Sequence, residues 1–516
     1  MKKILGIELG STRIKSVLID ESANVLATGI YEWENRLVNG LWSYPLEQAV
    51  EGLQESYGKL ARNYEAATGE KLTFLDAAGI SGMMHGYLAL DADDCQLAEF
   101  RTWRNTHTAE AAAELSGLFN FNIPQRWTAA QYYQAILDGE EQARRVAKLF
   151  TLAAYIHYRL TGRFVAGIGE ASGMFPVRDG DYDADMIAAF NKRLAGRGVN
   201  VDFKALLPKA LPAGENAGFL TEEGAKLLDV TGSLRPGVPF CPPEGDMQTG
   251  MVCSDSTAPG CANVSAGTSS NIIITLSSPL KTHRPEIDVM MTPEGFPAAM
   301  VHSNNCTSEI NEWVSLFGEV AALCGAEVSR GELFGLLFRK SLESDPDTGG
   351  LVEYNYLAGE AVAGCSTGAL TLSRSPSGRL SLANLMQVQL YSALSALSLG
   401  IDLMAEEGAK ITGITAAGGF YKTDFVGQNV TSAAFGVPVT LLDTAGEGGP
   451  WGMALLALYM LEKTGSLTDF LRQLLGGVQR STVMASEEDI AKYRRYFERY
   501  RKALAAERAM AELLEN

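Results

Sequence analysis

Asp246 stands among glycines in Pro242-Pro-Glu-Gly245-Asp246-Met-Gln-Thr-Gly250, where main chain can approach a ligand closely. A carboxylate in such a place can take the proton of a substrate hydroxyl as that oxygen attacks phosphorus. A plainer reading, compatible with the first, is a turn whose Asp caps the following helix. Near the N-terminus, Glu8, the turn Gly10-Ser11-Thr12 and Lys15 belong to two apolar runs, Ile4–Leu9 and Ile14–Ile19. Amides and hydroxyls in such a turn can hold a phosphate, and the acid can hold a divalent ion. An ordinary surface hairpin has the same pattern. The turn has an echo at Gly267-Thr268-Ser269, followed by the run Asn271–Leu276. Two such hairpins about half a chain apart predict a duplicated domain that grips a nucleotide's phosphates between the copies.

Other segments suit an organic ligand. Met84 and His85 lie between Gly82 and Gly86, at the end of a buried strand expected over 77–81. Together they offer an apolar and a polar wall to a small polyol, although a lone His is more often structural. The stretch Arg101–Thr108 sets Trp103 beside Asn105 and His107. Trp stacking with Asn hydrogen bonding can hold a sugar, and Trp103 can equally be core. Gly418-Gly419, after a strand expected over 411–416, admits a flat ring or ribose against the main chain, or simply a tight turn into a helix. The match Gly364-Cys-Ser366-Thr-Gly368 precedes a strand-like run where a nucleophile elbow needs a helix, so it reads as chance. No G-x-x-x-x-G-K-[ST] or H-E-x-x-H stretch occurs, and the histidines at 85, 107, 157, 283 and 302 lack metal-ligand spacing.

These residues need a scaffold of alternating strands and helices. Helical spacing runs over 46–62, 109–118, 129–137 and 147–160, with Thr161-Gly162 as a stop signal. Further helices are expected near 308–325 and 383–405. The run Glu447–Leu456 opens another, whose glycines and alanines suit close packing. From 486 onward Ile490, Tyr493, Phe497, Tyr500 and Leu504 mark one amphipathic helix packed on the body. Pro236–Pro243 punctuates the chain ahead of the second hairpin and is the candidate domain border. The pattern predicts an α/β protein with mostly covered sheets.

A chain of 516 residues predicts two sizeable domains, and 46% apolar with 20% charged residues describes a globular protein. The net charge of −18 argues against a nucleic-acid backbone partner but leaves room for ATP held by local amides. Seven scattered cysteines without a C-x-x-C pair fit reduced thiols in the cytoplasm. Glu8 and Arg13 interrupt the apolar start, no 18-residue apolar span is expected, and no membrane partner is anticipated.

Taken together and in order, these segments resemble the FGGY carbohydrate kinases, especially their xylulokinase branch, over nearly the whole chain. Ile7–Lys15 is similar to the family's first phosphate hairpin, Met84-His85-Gly86 to its sugar-site segment, and Trp103–His107 to its Trp-Asn-Asp-x-Arg stretch. Gly245-Asp246 falls on the catalytic aspartate, Gly267-Thr268-Ser269 on the second phosphate hairpin and Gly418-Gly419 on the adenosine motif. Ser172-Gly173 and Tyr356–Glu360 also match familiar runs. The resemblance implies duplicated actin/hexokinase-type (ribonuclease H-like) α/β domains with a cleft between them. It assigns 1–255 to the N-terminal domain, 256–480 to the C-terminal domain and 481–516 to the terminal helix. The chain also departs from the family. Glu8 replaces an aspartate, which moves the carboxylate outward by roughly 1.5 Å. Arg104, Asn105 and His107 stand where Asn, Asp and Arg are usual, and no lysine-and-tryptophan signature is recognisable in Thr128–Tyr133.

The resemblance implies ATP-dependent phosphorylation of a small sugar, a ketopentose such as xylulose or a related polyol. Asp246 would be the base, and Glu8 the Mg²⁺ residue. Gly10, Ser11, Thr12, Lys15, Gly267, Thr268, Ser269, Gly418 and Gly419 would bind ATP. Met84, His85, Trp103, Asn105 and Asp246 would hold the sugar. A homodimer is compatible with this reading. The rival is an ATP- and sugar-binding protein of the same fold with weak turnover and a sensing role.

Overall fold

The computed structural model describes residues 1–443 and 448–514; Glu447, expected at a helix start, lies outside them. Strand Ile4–Leu9 pairs antiparallel with Arg13–Ile19, which pairs antiparallel with Val25–Glu32, and on its other edge runs parallel to Ala77–Gly82. The same connectivity recurs in the second half. Cys261–Ala266 pairs antiparallel with Ser270–Thr275, this strand pairs antiparallel with Pro297–Ser303, and Gly413–Ala417 runs parallel on the other side. Each hairpin expected from the sequence therefore sits in the middle of its own sheet.

Alternation along the first strand decides what lies behind the site. Leu5, Ile7 and Leu9 face one core together with helix Leu46–Thr68. Ile4 faces the other, against helix Gly449–Glu462, and period 2 places Gly6 and Glu8 on that same face. A Cβ on Gly6 would lie 1.9 Å from the Pro450 carbonyl oxygen, so only glycine lets this helix reach the strand. The same helix packs on Asp246–Cys253 through Gly452, whose Cβ would lie 2.4 Å from the Thr249 carbonyl oxygen. The close packing expected of this glycine- and alanine-rich helix is present. On the second sheet, helices Leu382–Glu406 and Glu487–Leu514 form the core, with Tyr493, Tyr496 and Tyr500 of the latter buried.

Two expectations change. The stretch 147–160 is not one helix: Lys148–Phe150 is a strand paired with Leu88–Leu90, and the helix is Leu152–Thr161, capped by the Thr151 hydroxyl. The cross-strand contacts of Leu149 and Phe150 outweigh local helical spacing. Pro236–Pro243 is not a border but part of the first sheet, since Phe240 pairs with Ala78. Helix Leu382–Glu406, expected at 383–405, holds an 18-residue window of mean hydropathy 1.3 that Asn, Gln and Ser punctuate. In the fold 72% of that window is buried, as a core helix requires.

Candidate active site

Glu244–Gly245 runs parallel to the end of Ala77–Gly82, and helix Asp246–Cys253 begins at the next residue. Gly245, not Asp246, occupies the cap position. A Cβ on Gly245 would lie 2.2 Å from Met84 Cγ, so the glycine is what lets the two strand ends meet. The Asp246 Oδ1 accepts the Met247 amide at 2.9 Å and the Met84 amide at 3.3 Å. The rest of the residue is open to a cavity of about 1300 Å³ between the two domains. Surrounding protein raises the Asp246 pKa; the two amides and the charge of Arg126 oppose that rise.

Two further acids stand behind it. Glu244 is buried and accepts the Glu170 amide at 2.8 Å; burial pushes its pKa up to about 8. Glu170 is fully buried and is raised well above the carboxylate range, by burial and then by Glu244 and Asp246. Both are buried, so Asp246 is the acid of this group that faces the cavity.

Glu8 lies opposite Lys15 in the hairpin ladder. Its carboxyl rests at the start of helix Gly449–Glu462, where a Cβ on Gly449 would be 2.1 Å from Oε1. This glycine gives room to the longer acid. Burial and then the charge of Asp246 push Glu8 up to about 7, while Arg13 and Lys15 pull it down. Asp246 disfavours the charge on Glu8, and a divalent cation held by Glu8 would relieve it. Among the described residues no group of three or more His, Cys, Asp or Glu is arranged for a metal. An ion here would complete its shell with water and nucleotide oxygens.

The two turns point their carbonyls into the protein. In the first, Gly10 O accepts Trp33 Nε1 at 2.7 Å, Ser11 O accepts the Tyr44 hydroxyl at 2.6 Å and Thr12 O accepts the Trp33 amide at 3.1 Å. In the second, Gly267 O accepts the amide and hydroxyl of Thr307 at 3.0 and 2.7 Å, and Thr268 O accepts the Cys306 amide at 2.9 Å. Ser11, Thr12 and Thr268 are exposed on the turns. Gly418, at φ 115°, brings its segment against the second hairpin; a Cβ there would lie 2.2 Å from the Ala266 oxygen.

Met84, His85, Trp103 and Asn105 all border the cavity with Asp246. His85 is buried, stacks on Trp127 at 6.2 Å and places Nδ1 3.1 Å from the Gly173 oxygen. Burial and Arg126 lower its pKa to about 3, so the ring is neutral. A carbonyl can only accept, so Nδ1 carries the proton and Nε2 is left as an acceptor. Trp103 is 41% exposed and is not a core residue. Asn105 is buried, with its amide engaged in both directions by the Trp42 main chain at 2.8 Å. These bonds hold Asn105 against strand Leu41–Ser43. His107 is not among the lining residues.

Residues 3–253 match the N-terminal domain of the FGGY family of carbohydrate kinases, and 262–461 match the C-terminal domain. The chain belongs to this family. It is 23% identical over 521 residues to a xylulose kinase of Haemophilus influenzae, a match covering 96% of this chain and 98% of the relative. A xylulose kinase structure from Rhodospirillum rubrum superposes with a TM-score of 0.80 at 17% identity, covering 99% of this chain and all of the other. A glycerol kinase structure from Plasmodium falciparum with ADP gives 0.78 at 14% identity, with 98% of each chain covered. The duplicated sheets are the actin/hexokinase-type fold, and this FGGY protein is a carbohydrate kinase.

Several residues bordering the kinase's cavity were invisible in the sequence. Asn263, Ser265, Asn271 and His302 reach it from the second sheet. Arg126 also lines it and forms an ion pair with Asp288 of the other domain. Glu170 carries no motif of its own, and folding alone brings it beside Asp246.

Proposed function

We propose that this kinase transfers the γ-phosphoryl group of ATP to a hydroxyl of a ketopentose such as xylulose, or of a related polyol, with Asp246 as the base. The observation that carries the reading is the Asp246 carboxylate, fixed by two amides and open to the interdomain cavity. The substrate hydroxyl gives its proton to Asp246 as its oxygen bonds to phosphorus, and the bond from phosphorus to the bridging oxygen breaks to release ADP. Neutral His85 accepts a hydrogen bond from another sugar hydroxyl through Nε2, while Met84 and Trp103 supply the apolar wall. The turns Gly10–Thr12 and Gly267–Ser269 and the Lys15 ammonium cradle the phosphates, with the adenosine against Gly418-Gly419. Glu8 would hold Mg²⁺, which when bound supplies charge neutralisation on the phosphate oxygens. The seven free cysteines agree with work in a reducing compartment such as the cytoplasm.

One feature favours the sensing alternative: Glu8 stands where the family has an aspartate, which moves the carboxylate by one methylene. ADP release measured over xylulose, other ketoses, glycerol and gluconate separates the two. Turnover of a ketopentose supports the kinase reading, whereas tight ATP binding with no turnover supports the sensor. Asp246→Asn should keep the fold and lower kcat by about 10²–10⁴. A near-wild-type rate would remove Asp246 as the base.

A further inference from the structure

We infer that Gln248 is a positioning residue: its side chain ties the edge strand of the second domain to the helix carrying Asp246, so the seating of the domains and the aim of the carboxylate are set together. This inference rests on Asp246 being the base.

Strand Asp288–Met291 lies at the edge of the second sheet. Met291 is opposite Pro297, which has no N–H, and it offers both of its backbone polar groups to the first domain. Its amide donates to Ser172 Oγ at 2.9 Å, and its carbonyl accepts Gln248 Nε2 at 2.9 Å. The other end of the strand is gripped too. Asp288 accepts Asn122 Nδ2 at 2.9 Å and pairs with Arg126, and both partners border the cavity.

Gln248 is fully buried and sits two residues beyond Asp246, in the first turn of the same helix. Glycines make its path. A Cβ on Gly169 would lie 2.2 Å from Gln248 Cγ, and one on Gly245 would lie 2.7 Å from its Oε1. That Oε1 has no hydrogen-bond partner and lies beside Gly245, the residue that caps the helix. The amide therefore reaches the other domain only through a channel that also fixes the start of the Asp246 helix. Movement of the edge strand as the domains close pulls on the turn that aims the base.

The test uses the full chain with Gln248→Ala, Gln248→Glu, Ser172→Ala and, in parallel, Asp246→Asn. Glutamate is nearly isosteric with glutamine, and once ionised its carboxylate cannot donate to the Met291 carbonyl, so that variant is read at alkaline pH. Hydrogen exchange of peptides spanning 246–253 and 288–291 is followed without ligand, and kcat and KM are measured with xylulose. Both Gln248 variants should speed exchange in both segments by about fivefold or more. Ser172→Ala, whose hydroxyl bonds Met291 and Gly169 but not the helix, should speed the helix as well as the strand. With Gln248→Ala, kcat should fall about tenfold while the sugar KM stays within about threefold. Unchanged exchange in 246–253 for Ser172→Ala, or a lowered Tm with unchanged kcat for Gln248→Ala, overturns the inference. If Asp246→Asn keeps full rate, the base assignment falls instead. If xylulose is not turned over by the wild type, the exchange result decides alone.

Discussion

In the first hairpin Glu8 faces Lys15 across the ladder, two residues before Gly10; in the second, Ser265 faces Asn271, two residues before Gly267. The carbonyls of both turns are tied inward, by Trp33 and Tyr44 in one and by the helix start at Cys306 and Thr307 in the other. Duplication has kept a turn that can offer amides to phosphate, while charge has stayed in one copy. The acid that disfavours ionisation beside Asp246 belongs to the first domain, and the matching positions in the second are neutral. Glu8 and Asp246 therefore both belong to the first domain, whereas the facing hairpin carries Ser265 and Asn271.

That asymmetry can be broken by exchanging charge for neutrality on each side. Glu8→Gln should cost about 10²–10³ in kcat, the scale of a lost electrostatic stabiliser, and Ser265→Ala less than about threefold. Equal losses in steady-state assays would erase the distinction between the hairpins. A smaller effect tests how the longer acid is accommodated. Gly449→Ala places a carbon 2.1 Å from the present Glu8 Oε1 and should lower kcat by about tenfold. Adding Glu8→Asp to that variant should restore at least part of the loss, because the shorter side chain withdraws from the new methyl. A double-mutant cycle showing simple additivity would mean that Gly449 does not seat Glu8.

The acid also makes stability depend on pH. Folding raises the Glu8 pKa from 4.5 to about 7, so the folded chain keeps a proton that the unfolded chain releases. Its contribution is full below pH 4.5 and is lost as pH rises through about 7. The ligand-free Tm should decline across that window, and Glu8→Gln should flatten part of the decline. Asp246, Glu170 and Glu244 act in the same sense, so the difference between the two melting profiles is the quantity that counts. Ser265→Ala should leave the profile unchanged. The smallest effect concerns the buttress of the first turn. Tyr44→Phe removes one hydrogen bond to the Ser11 carbonyl and should cost about 0.5–1.5 kcal/mol in stability. The KM for ATP should rise by a few-fold; an unchanged value would mean that the turn is rigid without this bond.

Much of this was legible from local pattern. The hairpins and the terminal helix followed from runs of apolar residues and glycine punctuation, because each is stabilised largely by its own periodicity. The short strand at Lys148–Phe150 was not legible, since its partner Leu88–Leu90 lies far away in the chain. The same limit applied to the site. Asp246, Glu8 and Met84-His85 stood out by type and setting, yet nothing in the chain showed that the Asn105 amide is engaged by Trp42 or that Arg126 pairs with Asp288.

The sequence by itself determined the duplicated α/β plan, the two glycine turns and the acid among glycines, because strand alternation and turn chemistry act over a few residues. Only the tertiary structure decided that Glu8 rests on Gly449, that two methionine amides aim Asp246, and that Gln248 reaches Met291 in the other domain. Those contacts join residues far apart in the chain, and their energies depend on burial and angstrom-scale approach. Neither quantity exists until the sheets and helices have packed.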